Sequence, residues 1–251
     1  ISEVKTYDYT LTEADYTSIA ANKTNVTYAK SLDTIPEQTT NQDALAQVGE
    51  KLYFNEVASA DMYVPAFIYG KYPHLDPGST FNVTYKTWDG LPKHLDMLNM
   101  AIQYTLTAAD YATITGVADA TYLTEADLAN VGLVLPQVDD NHLCGVVYQY
   151  NAGDGVVKTV ETLFIYEDGW LWKPYTHAVC PLYILPAEAN GQALKWLNNT
   201  YPYALKDDKV VVMVFDTKTA LYVATEYNHN GETWVANTGI IEETMSFVLS
   251  T

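Results

Sequence analysis

The chain has 251 residues, and its 48% hydrophobic content is enough to bury the core of one large or two modest domains. Its 13 basic side chains are all lysines, and 31 carboxylates give it a net charge of −18. We therefore expect neither nucleic acid nor an anionic membrane surface as a partner, because both are bound through positive charge and the chain has no arginine.

The chain also lacks the marks of a membrane-spanning protein. No run of eighteen apolar residues occurs, and the chain opens on Ile1-Ser2-Glu3 without a basic and apolar leader. We interpret it as a mature segment that a signal peptide or a lipid-attachment cysteine preceded, so any membrane association would run through a lipid anchor outside this chain.

An eleven-residue phrase occurs twice. Residues 9–19 read YTLTEADYTSI, and residues 104–114, which begin 95 positions later (104 − 9), read YTLTAADYATI. An internal repeat of this kind indicates a modular fold. The stretches before the two copies, 4–9 and 97–104, are predicted to be strands.

Each copy contains the start of a helix. Thr12 and Thr107 are N-cap residues, and Asp15 and Asp110 follow three positions later, where a carboxylate accepts from free backbone amides. The same signature recurs at Thr124 and predicts another short helix. The phrase is thus predicted to run from strand into helix.

A second correspondence joins Tyr72-Pro73 to Tyr201-Pro202. Each pair ends an apolar helical pattern and precedes a strand, 81–85 or 210–215, with turn residues beyond it that indicate a hairpin. The distance from phrase to Tyr-Pro is longer in the second module, and the excess of 34 residues matches 139–172, which reads as an inserted hairpin. A final strand is predicted at 244–249.

These elements predict an α+β fold of two pseudo-repeats, each with a strand, short helices and antiparallel hairpins. The first is expected to span 1–103 and the second 104–251, including the hairpin inserted at 139–172. The two pseudo-repeats form either one compact unit or two cores.

Cys144 and Cys180 lie in apolar, strand-like contexts without the spacing of a metal site or a redox pair. Two buried free thiols are the favoured interpretation, and one disulfide is the alternative.

The paired phrase, the downstream Tyr-Pro, the valine-rich strand and the Gly-Trp return strand resemble secreted surface lipoproteins of Bacteroides-type gut bacteria. The resemblance covers nearly the whole chain. It implies a lipid-anchored outer-membrane location and a non-enzymatic binding or adhesion role, accessory to nutrient-import components, and it transfers no active-site residue.

The sequence lacks local catalytic motifs. It contains no Gly-x-Ser-x-Gly, no His-Glu-x-x-His and no Gly-Lys-Ser/Thr, and its five histidines lie far apart. We therefore predict no enzymatic activity, no cofactor and no metal. A glycoside hydrolase with two carboxylates brought together by folding remains the enzymatic alternative.

Two acidic pairs stand at the starts of predicted hairpins, Asp139-Asp140 and Asp207-Asp208. Adjacent carboxylates on an extended strand point to opposite faces, so neither pair forms an acid/base couple by itself. A solvated turn is the favoured interpretation, and a calcium site is the alternative.

Aromatic residues are the candidate ligand-binding groups. Trp170 and Trp172 leave the same face of a predicted strand, Tyr175 lies just beyond, and Trp234 occupies the equivalent end of the later hairpin. Such rings either stack on a sugar or peptide or cover the core. The sequence favours a surface protein that binds a glycan or peptide, with a structural subunit of an outer-membrane complex as the alternative.

Overall fold

The computed structural model describes residues 4–35, 37–169, 171–182 and 184–249, with only the backbone of Pro186. It is about one-third helix and one-third strand in three mostly antiparallel sheets, which confirms the predicted α+β class. The chain divides into two compact units, residues 1–90 with 238–251 and residues 91–237.

The first unit is a helical layer on a three-stranded sheet. Its helices are α1 (Glu13–Ala21), α2 (Lys23–Leu32), α3 (Thr40–Lys51) and α4 (Ala60–Lys71), and its strands are β1 (Thr6–Thr10), β2 (Thr80–Trp88) and β10 (Ile240–Val248). The central strand β2 pairs in parallel with β1 and antiparallel with β10.

The two faces of this sheet differ in chemistry because side chains alternate along each strand. Phe81, Val83 and Phe247 turn toward the helices and join the core. On the opposite face Asn82 donates to Asp8 at 2.8 Å and accepts from Ser246 at 2.6 Å, so a polar row crosses all three strands.

The first copy of the phrase is anchored by a buried carboxylate. Asp15 accepts from the Thr12 backbone N–H at 2.8 Å and from the Tyr9 hydroxyl at 2.6 Å, and Lys71 of α4 pairs with it at 2.7 Å. Burial raises the pKa of Asp15, but the hydrogen bonds from Lys71, Tyr9 and Thr12 outweigh it and lower that pKa to about 2.

The second unit contains two sheets. In chain order its elements are α5 (His94–Asn99), β3 (Ile102–Thr105), α6 (Ala108–Thr115), a 3-10 helix (Glu125–Leu133), β4 (Leu143–Asn151), β5 (Val157–Glu167), β6 (Leu171–Pro174), a 3-10 turn (Pro186–Glu188), α7 (Ala189–Thr200), β7 (Lys209–Asp216), β8 (Leu221–His229) and β9 (Trp234–Ala236). The strand orders are β3-β4-β5-β6 and β7-β8-β9.

The second unit is layered as helix, sheet, sheet, helix. Cys144 of β4 packs with α6, whereas its neighbour Leu143 packs with residues of β7 and β8. In the second sheet Val211 faces the first sheet and Val212 faces α7. Both cysteines are free, as favoured from the sequence, but only Cys144 is buried as expected, in the helix-facing core. Cys180 is half-buried and packs against the core between the sheets.

The second copy of the phrase repeats the local structure of the first. Both copies run from a strand through a threonine–aspartate capping box into a helix, as predicted. The strands β1 and β3 pair in parallel with β2 and β4 respectively. The signature at Thr124 also forms a capping box, and it opens the 3-10 helix.

The division of the chain differs from the predicted boundary at 103/104. The predicted final strand, β10, pairs along its length with β2, so the C-terminal residues 238–251 belong to the first unit. The predicted strand 97–104 is shorter than expected because α5 occupies its first half.

The stretch 139–172 contains the predicted hairpin, β4 and β5, but the hairpin is not an insertion. Its strand β4 pairs with β3 as β2 pairs with β1, so the hairpin is an integral part of the second unit. The strand after Tyr72-Pro73 also forms no hairpin with its neighbour, because β2 takes the distant β10 as its antiparallel partner, while β7 does form a hairpin with β8.

Within the described part of the chain, no helix combines the length and the apolar character that crossing a bilayer requires.

Candidate functional site

Three of the four aromatic residues predicted to bind ligand are described by the structure, and these three lie in separate places. Trp172 is 8% exposed and packs against Tyr166, with ring centroids 5.2 Å apart. Trp234 is 2% exposed and belongs to the core beside α7. Tyr175 is half-buried near the core between the sheets, and Trp170 lies outside the described residues. Burial takes the indoles of Trp172 and Trp234 into the core. The shared face predicted for Trp170 and Trp172 stays a prediction, because Trp170 lies outside the described residues.

Trp234 nevertheless belongs to a row of rings that reaches the surface. The centroids of Trp234 and Tyr201 are 6.0 Å apart, and those of Tyr201 and Trp196 are 5.9 Å apart. Tyr201 and Trp196 are half-buried, so the row runs from the core toward solvent at the end of α7.

A cavity of about 450 Å³ opens beside Trp234 and Tyr201, two members of this row. Tyr201, Trp234, Asp208 and Lys209 contribute to its wall, and Tyr203 stands at the same cavity with 92% of its surface exposed. The site therefore combines an exposed ring, a half-buried ring, a carboxylate and an ammonium group, the mixture of flat apolar and polar groups that orients small ligands.

The turn that carries Tyr203 is fixed by backbone hydrogen bonds. The N–H of Ala204 donates to the Tyr201 carbonyl at 3.2 Å, and the N–H of Leu205 donates to the Asp208 carboxylate at 2.7 Å. At the end of β8, the His229 carbonyl accepts from the Asp207 N–H, and the His229 N–H donates to the Asp208 carbonyl, each at 2.8 Å. The exposed ring is thus presented on a held segment, which lowers the entropy cost of binding.

One polar group of the site has no partner. The indole N–H of Trp234 is buried and meets no acceptor among the described residues. Leaving such a donor unpaired costs about 1–3 kcal/mol.

At the corresponding turn of the first unit, the tyrosine packs on the core. Tyr72, which also ends a helix before a proline, stacks on Phe81 of the core with ring centroids 5.6 Å apart. Sequence reasoning found both Tyr-Pro turns but missed Tyr201 and Tyr203 as site residues. The sequence feature that distinguishes the second turn is its second tyrosine, Tyr203, since the first turn has His74 at that position.

The two acidic pairs stand at turns, as the sequence favoured. The carboxylate of Asp140 accepts from the Gly169 N–H at 2.6 Å, and that of Asp208 holds the Leu205 N–H. Among the residues the structure describes, no group of three histidine, cysteine, aspartate or glutamate side chains is arranged to hold a metal ion.

No protein family matches the chain, and neither the curated proteins nor the solved structures contain a significant match to it. The resemblance to surface lipoproteins of Bacteroides-type bacteria therefore stays a prediction.

Proposed function

We propose that this protein is a non-enzymatic, exported surface protein that binds a glycan through the turn at Tyr203. The observation that carries the proposal is the 92% exposed Tyr203 ring beside a cavity lined by Tyr201, Trp234 and Asp208. A lipid-anchored location at the outer membrane, next to nutrient-import components, follows from the sequence resemblance and belongs to the same proposal.

The chemistry of the cavity fits a sugar. The C–H faces of a pyranose ring stack on aromatic rings, and its hydroxyls bond both to acceptors such as Asp208 and to donors such as Lys209. A tyrosine is suited to this because it offers a rigid contact area with few rotatable bonds.

Binding fits this cavity better than glycoside hydrolysis does. Glycosidases use two carboxyl groups that flank the scissile bond. Among the described residues on the wall of this cavity, Asp208 supplies the one carboxylate, so the second carboxyl group that a glycosidase needs is not present there.

A glycan array probed with the labelled protein tests the proposal, with a peptide array as the second arm. We expect specific glycans to be retained and the signal to fall when Tyr203 is replaced by alanine. The matched control is Tyr122→Ala, since Tyr122 is another exposed tyrosine of the same unit, 39% exposed. Retention of peptides alone would contradict the glycan assignment, and a flat result on both arrays would contradict the binding function.

A further inference from the structure

A second cavity, of about 390 Å³, lies in the second unit and shares no lining residue with the cavity at the Tyr203 turn. Its wall includes Glu161 of β5, Tyr175 and Cys180 of the segment that follows β6, and Trp196 of α7. Its residues differ from those of the proposed glycan site, so the two sites can be tested separately.

Glu161 is an incompletely paired carboxylate on this wall. Its Oε1 accepts from the hydroxyl of Tyr222 and from the side-chain amide of Gln103, the latter at 3.1 Å. Within the described chain no lysine or histidine nitrogen lies within ion-pair distance of Glu161, and its Oε2 receives no hydrogen bond. A half-buried carboxylate with two neutral donors still lacks a compensating charge.

The pKa values of two neighbours of Glu161 reflect this environment. Burial, and after it the charge of Glu161, raises the pKa of the Cys180 thiol. The same two causes raise the pKa of Tyr222. Both groups therefore stay protonated at neutral pH, and neither is a nucleophile or a counter-charge for the carboxylate.

Two aromatic rings share the wall with this carboxylate. Tyr175 and Trp196 are both half-buried, so part of each ring remains free to meet a ligand. Aromatic faces attract cations, and desolvation strengthens that attraction. An inorganic cation such as calcium would need several oxygen ligands, whereas a carboxylate with aromatic walls suits an ammonium group on an aliphatic stem.

We propose that this cavity binds an organic cation, a primary ammonium group that Glu161 pairs with and that Tyr175 and Trp196 flank. The volume of about 390 Å³ accommodates a short aliphatic chain. The ammonium group belongs either to a lysine side chain of a peptide or to a free alkylamine, and the net charge of −18 attracts both.

The test follows the indole N–H signal of Trp196 by NMR in protein labelled with ¹⁵N-tryptophan. The probes are n-butylammonium for the free amine, a blocked Gly-Lys-Gly peptide for the lysine side chain, and 1-butanol and the Nε-acetylated peptide as neutral counterparts. We expect at least one cation to shift the signal in a saturable way and its neutral counterpart to bind at least about tenfold more weakly. The tighter cation identifies the source of the ammonium group.

Glu161→Gln is the decisive variant because it removes the charge and keeps an oxygen for Tyr222 and Gln103. We expect it to weaken the cation at least about tenfold, while Glu232→Gln, at an exposed turn, leaves the affinity unchanged. Equal binding of cation and neutral probe, equal affinity in Glu161→Gln, or no response of Trp196 would overturn the proposal. The comparison of charged and neutral probes on the unaltered protein decides the question even where Glu161→Gln fails to fold.

Discussion

The hydroxyl of Tyr111 accepts a hydrogen bond from the backbone N–H of Gln149 at 2.8 Å. Tyr16 accepts in the same way from Lys86 of β2, at 2.5 Å. In each unit this tyrosine fills the gap on the strand edge between the end of the parallel strand and a single bridging residue, Leu123 or Phe54. The repeated phrase therefore contains the tyrosine that accepts this otherwise unpaired strand N–H.

Tyr111→Phe removes this acceptor and keeps the ring. The Gln149 N–H then loses its partner, and we expect the free energy of unfolding to fall by about 1–3 kcal/mol. Urea unfolding followed by circular dichroism measures the change, and Tyr122→Phe at an exposed position is the control. Equal losses in the two variants would show that the hydroxyl of Tyr111 has no special role.

The pH dependence of stability tests the anchor at Asp15. Its folded pKa is lowered to about 2, so its stabilising contribution is present above the unfolded value near 4 and is lost as pH falls through about 2. Asp15→Asn should destabilise the first unit by about 2 kcal/mol at pH 7, and the difference from the unaltered protein should shrink below pH 4.

Asp110→Asn is the matched control for that experiment. Asp110 makes the same capping box, but among the described residues no lysine pairs with it. The cost of Asp110→Asn at pH 7 should be smaller than that of Asp15→Asn. A cost of Asp15→Asn that stays constant from pH 7 to pH 2 would contradict the assigned ion pair.

Two glycines should respond to alanine in opposite directions. A Cβ on Gly145 would lie 1.8 Å from the Tyr222 hydroxyl, between the two sheets of the second unit, so Gly145→Ala should cost about 1–3 kcal/mol or more. A Cβ on Gly191 of α7 would meet no atom within 4 Å, and Gly191→Ala should stabilise the helix by about 0.5–1 kcal/mol. Thermal melts that shift in the same direction for both variants would contradict this packing.

The thiols should be unreactive in the folded protein. Burial, with a further contribution from Glu161, raises the pKa of Cys144 to about 12, so the reactive thiolate is scarce at neutral pH. Ellman's reagent should label neither cysteine rapidly until urea unfolds the chain, and then both. Fast labelling of Cys144 in native buffer would contradict its position in the core.

Local structure was predictable from the sequence where neighbouring residues determine it. Four consecutive residues define each helix start, from Thr12 to Asp15 and from Thr107 to Asp110, and the structure confirms both starts. The partner of β2 was not predictable, because β10 lies far along the chain and local turn residues carry no information about such a pairing.

The candidate site was only partly predictable for a related reason. Alternation placed Trp172 and Trp234 in strands but did not show which face of each strand a second layer covers. Trp172 is covered by the core beside α6, and Trp234 by the core beside α7. Tyr203 is exposed because it follows the helix on a tight turn, a feature that hydrophobic patterning does not reveal.

The most direct test of the proposed function is the affinity of the glycan that the array retains most strongly. Isothermal titration calorimetry should give a dissociation constant at least about tenfold weaker for Tyr203→Ala than for the unaltered protein, with Tyr122→Ala unchanged. Equal affinities for all three proteins would contradict the assignment of the ligand site to the Tyr203 turn.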